Sequence, residues 1–151
     1  MESPSQTPSS YDMLMRLTRG ITRNSEDVAA VFRRMVFNVL AHNRDDHSRQ
    51  HAFLMDEGGV WRLAPVYDLT YAPGPGGEHY LDIDGEGRRP TRAHVERLGQ
   101  KQGLSARQIS AIIDDVGAAV ASWESFAKAA AVSSASLQQI SLAHARVALD
   151  F

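Results

Sequence analysis

The chain has 151 residues, 43% of them hydrophobic, with 16 basic side chains against 18 acidic ones and no cysteine. That describes one globular domain with apolar mass enough for a core, and it excludes disulfides, thiolate metal sites and a cysteine nucleophile. A net charge of −2 gives no bulk attraction for nucleic acid. No membrane-spanning apolar run and no secretory leader occur, so a cytoplasmic protein away from the membrane is expected.

In chain order, residues 1–10 (MESPSQTPSS) are polar with two prolines and read as a disordered leader, which leaves 11–151 as the domain. Tyr11 to Arg19 has helical spacing and predicts a short helix ending near Gly20. Asn24 or Ser25 then caps a strong amphipathic helix. Its apolar positions Val28, Val31, Phe32, Met35, Val36, Val39 and Leu40 recur at three and four residues, and Glu26 and Asp27 suit the positive end of its dipole. That helix runs straight into the polar stretch Asn43-Arg44-Asp45-Asp46-His47-Ser48-Arg49-Gln50.

Beyond it, His51 to Met55 and Val60 to Leu63 flank Asp56-Glu57-Gly58-Gly59, which predicts a β-hairpin whose second strand stops at Pro65. Residues 73–78 (PGPGGE) are too rich in glycine and proline for regular structure and read as a flexible loop beside a substrate cleft, with a further short strand expected over 79–84. Thr91 opens a helix. Ser105 with Gln108 makes a capping box for a second, which places Ile109, Ile112, Ile113, Val116 and Val120 on one side. Residues 127–136 read as a helix end and connector. Ser136 with Gln139 is expected to cap a third helix, with Leu137, Ile140, Ala143 and Val147 inward. The fold class is mainly α, with a small β-hairpin beside the polar loop.

Chemistry concentrates in that loop. Desolvating a dense polar cluster between apolar elements is costly, so folds keep such clusters mostly where they are used. Asp45 and Gln50 stand five positions apart, the spacing of Asp and Asn in the kinase loop H-R-D-x-x-x-x-N. Asp68 follows 23 positions after Asp45, behind the hairpin, where a second metal-binding Asp is expected. Turn formation or capping is the plain alternative for both acids. Asp46-His47 as a divalent-metal pair of a hydrolase lacks further ligands at suitable spacing. His42 and His51 flank the loop as bystanders, Trp61 and Trp123 read as packing, and Arg88-Arg89 read as solvated surface.

The chain reads Phe37-Asn38-Val39-Leu40, Asn43-x-Asp45-Asp46-His47-x-Arg49-Gln50, Phe53-Leu54 and Trp61-Arg62-Leu63-x-Pro65-x-Tyr67-Asp68. These runs, at these spacings, resemble the HipA-type serine/threonine kinases, the toxins of bacterial HipA–HipB pairs, whose pattern is close to F-N-x-L-x-x-N-x-D-D-H-x-K-N-x-x-F-L and then W-R-L-x-P-x-Y-D. The resemblance covers the chain from about Tyr11 onward and implies the helical C-terminal lobe of a protein-kinase-like fold.

Carried over by position, the resemblance makes Asp45 the catalytic carboxylate that orients and deprotonates the attacking hydroxyl. It makes Asp68 and Gln50 the Mg²⁺ ligands, and Asn43, Asp46, His47 and Arg49 the residues that structure the loop. Asn43 and His47 are expected to tie the turn to nearby backbone. It further implies ATP as phosphoryl donor, a HipB-like antitoxin as partner, and a protein substrate such as an aminoacyl-tRNA synthetase. Two positions depart from the pattern: Gln50 stands where the family has Asn, and Arg49 where it has Lys. Gln carries its amide one methylene further out, which matters for a near-octahedral ion, and Arg keeps the charge of Lys but not its shape.

A kinase also grips ATP with a glycine-rich loop and a strand-borne lysine upstream of the catalytic loop. Here only Gly20 precedes Asp45, and no lysine precedes Lys101. The expectation is therefore a C-terminal lobe alone, as an excised piece, a truncated gene product or half of a split toxin. Such a lobe is inactive in isolation and self-associates through its uncovered docking face. The alternative is a degenerate pseudokinase lobe that serves as a partner-binding or antitoxin-binding module.

Overall fold

Two antiparallel-running apolar helices, α1 (Tyr11–Thr22) and α2 (Ser25–Leu40), carry the centre of the core in the computed structural model, which describes residues 9–151. Asn24 is the cap of α2, its side chain accepting from the Glu26 amide at 2.8 Å. The stripe predicted on α2 is the buried one: Val28, Val31, Phe32, Met35, Val36 and Val39 are at most 1% exposed. From α1, Tyr11, Leu14 and Met15 face it.

The expected leader lies outside the described residues through residue 8, and Ser9 and Ser10 are tied into the fold. The Ser10 side chain caps α1, and the Asp82 amide donates to the Ser9 carbonyl at 3.3 Å. α1 does not stop at Gly20. It runs to Thr22, held by Thr18 and Thr22 hydroxyls that donate back to carbonyls one turn earlier, and ends where Arg23 turns left-handed (φ 51°). A glycine inside a helix costs only about 1 kcal/mol, which this packing offsets.

The hairpin pairs β1 (Phe53–Met55) with β2 (Trp61–Leu63), Phe53 opposite Leu63 and Met55 opposite Trp61. It is anchored to the first turns of α2. Asp27, buried there, pairs with Arg62 at 3.3 Å and accepts from the Leu63 amide at 3.4 Å, while Arg34, further along α2, donates to the Ala64 carbonyl. Instead of a strand over 79–84, the chain forms two isolated bridges, Ser10 with Asp82 and Ile83 with Glu86, which bury Leu81 and Ile83.

α3 (Arg92–Lys101), capped by Thr91, and α4 (Ala106–Ala121), capped by the Ser105–Gln108 box, close the other side of the core. They approach so closely at Gly99 that a Cβ there would meet Phe32 Cε2 and Ile109 Cδ1, both at 2.8 Å. Two further helices complete the fold, α5 (Trp123–Ala129) and α6 (Ser134–Ala148). Ser133, not Ser136, caps α6, its side chain accepting from the Ser136 amide. Ala143 is its buried residue, with Leu137, Ile140 and Val147 half-buried. The fold is mainly helical with one two-stranded antiparallel hairpin among the described residues, as expected. No helix among these residues is long and apolar enough to cross a membrane.

Candidate functional site

The polar loop begins where α2 runs out. His42 takes a left-handed conformation (φ 54°) and turns the chain away from the helix axis. The Asn43 amide donates to the Asn38 carbonyl at 2.8 Å, and the Arg44 amide to Ala72 at 3.0 Å, while the Ala72 amide returns to His42 at 3.1 Å. Residues 42–44 are therefore stitched both to α2 and to the strand-like segment around Ala72.

Behind the loop lies a buried polar wall centred on Asp46, whose side chain is 0% exposed. Its carboxylate accepts from the Tyr11 hydroxyl at 2.8 Å, the His79 Nδ1 at 2.8 Å and the Tyr80 amide at 2.9 Å. Tyr11 in turn accepts from Asn38 at 2.9 Å, and Asn38 from the Asn43 side chain at 3.0 Å. Burial, then the adjacent Asp46 carboxylate, holds the Tyr11 phenol well above its ordinary pKa, so it stays a donor. A buried carboxylate with three donors satisfies the requirement that buried charge be matched.

The front of the loop is different. The Asp45 side chain is 46% exposed and accepts no hydrogen bond among the described residues. His47 Nε2 faces it at 3.8 Å, too far for a hydrogen bond, and the His47 ring packs edge-on against Tyr80 at 5.5 Å. A 3-10 turn, Ser48–Gln50, then brings Gln50 round so that its Nε2 lies 2.5 Å from Asp68 Oδ2. The Tyr67 hydroxyl donates to the Arg49 carbonyl at 2.6 Å, locking the segment before Asp68 onto the turn. Asp68 itself sits in the left-handed region (φ 54°), which Asp tolerates better than most residues.

The fold thus brings Gln50 and Asp68 together and leaves Asp45 open on the same loop. Asn43 and Asp46 structure the loop, Asn43 through the Asn38 side chain and backbone. His47 does not tie the turn to backbone: its ring contacts are Tyr80 and the Asp45 carboxylate. Arg49 structures the loop only through its carbonyl, since its side chain is exposed and pairs with nothing among the described residues. His51 is no bystander. Burial, followed by the positive charge of Arg34, pulls its pKa from 6.5 to about 4, and its ring meets Tyr11 edge-on at 6.3 Å.

Sequence reasoning missed Tyr11 and His79, which contact the loop from 35 and 33 residues away. Only Asn38 carried a signal, as an amide set inside the apolar stripe of α2. The 73–78 loop has a defined role too. Gly74 (φ 75°) lets the chain pass so close to Arg44 that a Cβ would meet Arg44 Cβ at 2.6 Å and the Glu78 carbonyl at 2.4 Å. No other residue fits there. Arg88 and Arg89 are exposed, as expected, and also pair with Glu78 at 2.7 Å and Asp150 at 3.0 Å.

A family model described as the HipA-like C-terminal domain matches residues 2–123. The chain belongs to the HipA-like C-terminal domain family. The fold of this HipA-like domain is also that of a solved structure, HipA in the HipA–HipB–operator DNA complex of Shewanella oneidensis MR-1. The likeness has a TM-score of 0.61 at 19% identity, over 94% of this chain and 30% of the HipA chain. The HipA-like domain thus spans less than a third of that protein's length. The comparison with curated proteins gave no match.

Proposed function

We propose that this HipA-like domain is the catalytic lobe of a Ser/Thr protein kinase toxin that transfers the γ-phosphoryl group of Mg-ATP to a protein hydroxyl. The observation that carries the reading is the meeting of Gln50 and Asp68 at 2.5 Å, with the unbonded Asp45 carboxylate on the same loop. Hard oxygen donors of this kind suit Mg²⁺, which takes one or two protein oxygens and fills its remaining positions with phosphate and water. Gln50 presents its amide nitrogen to Asp68, so holding a cation requires the amide to turn and offer Oε1 instead. An amide turns about its terminal torsion at little cost. Gln50 and Asp68 would hold the ion, which supplies charge neutralisation at the β- and γ-phosphates when bound.

Asp45 is open to solvent on the side away from the buried wall, where a substrate hydroxyl can reach it. Its carboxylate would accept the hydroxyl hydrogen and aim the oxygen at phosphorus. The Asp46 wall fixes the backbone from which Asp45 projects, and His47 stands too far off to occupy its oxygens. Among these 151 residues no lysine and no glycine-rich loop precedes Asp45, and on this reading phosphoryl transfer needs an ATP-binding lobe as well. The exposed apolar side chains Leu54, Met55, Trp61, Val66, Tyr67 and Leu69, next to the site, support such a covering lobe. A HipB-like antitoxin and a protein substrate such as an aminoacyl-tRNA synthetase belong to the same proposal, the former supported by the company HipA keeps in the Shewanella complex.

The test is co-expression with the ATP-binding lobe of a HipA-like kinase, followed by phosphoryl transfer from labelled ATP. Label transfer is expected with wild type and not with Asp45→Ala; equal labelling by the two sinks the assignment. A second reading, a pseudokinase lobe that only binds a partner, is favoured by Gln50 in place of Asn. Gln50→Asn separates the two, because a gain of transfer in that variant marks a metal site weakened by the longer side chain.

A further inference from the structure

A second concavity lies on the far side of the loop, between the end of α2 and the last turn of α6. It has a volume of about 510 Å³, and Arg44, Arg88, Arg89 and Arg146 line it together with one acid, Asp150. His42 also lines it and is neutral at pH 7, because burial, then Arg44, brings its pKa down to about 4. Asp150 pairs with Arg89 and Glu78 with Arg88, which leaves Arg44 and Arg146 without an acidic partner among the described residues.

Three of the arginines are partly engaged. Arg89 holds Asp150, Arg88 holds Glu78, and Arg44 donates to the carbonyls of Gly77 and Arg88. Arg146 has no ion pair or hydrogen bond among the described residues. Arg44 Nε and His42 Nδ1 are buried with no partner there either. A buried donor on a charged group, as Arg44 Nε is, is expensive to leave unmatched, and an anionic acceptor matches it. The carbonyl ends of α2 and α6 oppose an anion, and Arg146, in the last turn of α6, offsets them.

We propose that this pocket binds a phosphate monoester, gripped by Arg146, Arg44 and Arg88. Guanidinium groups match phosphate oxygens, and Arg146, with no partner among the described residues, and Arg44, with no carboxylate on it, have donors to offer, while Arg88 keeps one nitrogen beyond its contact with Glu78. The volume exceeds what a phosphate group needs and falls in the range of small-molecule sites. Val39, Pro90 and Val147 supply apolar floor for a compact organic carrier. The pocket also touches the candidate site from behind. Arg44 immediately precedes Asp45, and His79, another lining residue, donates to Asp46. Anion binding therefore reaches the Asp45 loop through two rigid links. The proposal stands apart from the kinase reading: its failure leaves Asp45 and Asp68 where they are.

The experiment is an amide and guanidinium NMR titration of the full chain with inorganic phosphate, against sodium chloride at matched ionic strength. Phosphate is expected to shift Arg44, Gly77, Arg88 and Arg146, with smaller shifts spreading to Asp45–His47. Arg146→Ala should weaken binding about tenfold while the spectrum keeps its dispersion, and Arg33→Ala, whose partner Asp115 lies elsewhere, should leave it unchanged. Phosphoserine and a phosphoserine peptide distinguish the source: tighter binding of the amino acid alone points to a small metabolite, tighter binding of the peptide to a modified protein. Shifts that sodium chloride reproduces, or that Arg146→Ala does not weaken, overturn the site. So does preferential capture of a DNA duplex with steep salt dependence, which marks a backbone-tracking surface instead.

Discussion

Asp45 and Asp46 are neighbours in sequence and opposites in environment. Asp46 points back into the fold, is fully buried, and takes donors from α1, from His79 and from the Tyr80 backbone. Asp45 points outward, nearly half exposed, with no donor of its own among the described residues. The back of the loop commits the Asp46 carboxylate to shape, while at the front Gln50 and Asp68 hold each other and the Asp45 carboxylate stays free. The contrast shows how a polar cluster can be rigid and available at once: the Asp46 carboxylate is fully satisfied, so the Asp45 carboxylate can remain open without the loop collapsing onto it.

Substitutions on the two faces should separate widely. Asp46→Ala leaves the Tyr11 hydroxyl, His79 and the Tyr80 amide without their acceptor, and we expect it to cost about 3 kcal/mol in urea unfolding. A cost below about 1 kcal/mol would mean that the back wall carries no more than a surface residue does. Tyr11→Phe removes one donor from Asp46 and one acceptor from Asn38 while keeping the ring. A loss of about 1.5 kcal/mol is expected, and the same change in an Asp46→Ala background should cost clearly less, because the two share one network.

The seam between the faces is sensitive to pH. His51 adjoins Gln50 in sequence and packs on Tyr11, and its pKa of about 4 in the folded chain lies below its ordinary 6.5. As pH falls, the unfolded chain takes up this proton first, so stability is complete above about 6.5 and declines toward about 4. His42, also held near 4, adds in the same direction. A drop of up to about 2.5 kcal/mol per histidine between pH 7 and pH 4.5 is expected from urea melts, and His51→Phe should remove the share of one. An unchanged slope in that variant would place the acid sensitivity elsewhere. On the front face, Asp45→Ala should move stability by no more than about 0.5 kcal/mol. A larger loss would show that Asp45 is structural after all.

Much of the frame was legible because it is local. The period of α2, the Asn24 cap, the Ser105–Gln108 box and the turn at Gly58-Gly59 each depend on residues within a few positions of one another. The errors fall where local rules compete or distance decides. Ser133 and Ser136 are both acceptable caps, and Ser133 prevails because its hydroxyl reaches the Ser136 amide. α5 is separated from α4 by Ser122 alone, whose hydroxyl bonds back to Ala118, a break that no proline or glycine announces. In the candidate site, Asp45, Gln50 and Asp68 were singled out by spacing and resemblance. Tyr11 and His79 carry no such mark, since an aromatic at a helix start and a histidine after a glycine run look ordinary until the chain is folded.

Ser10 and Tyr11 give the first helix a practical meaning. One is bridged to Asp82 and the other bonds Asp46, so the opening turn of α1 is a latch on the loop rather than a preface to it. Anyone fusing this domain to a second lobe, or trimming it for expression, should place the junction before Ser9. A cut only a few residues later would deliver a helical body with its candidate active loop unfastened.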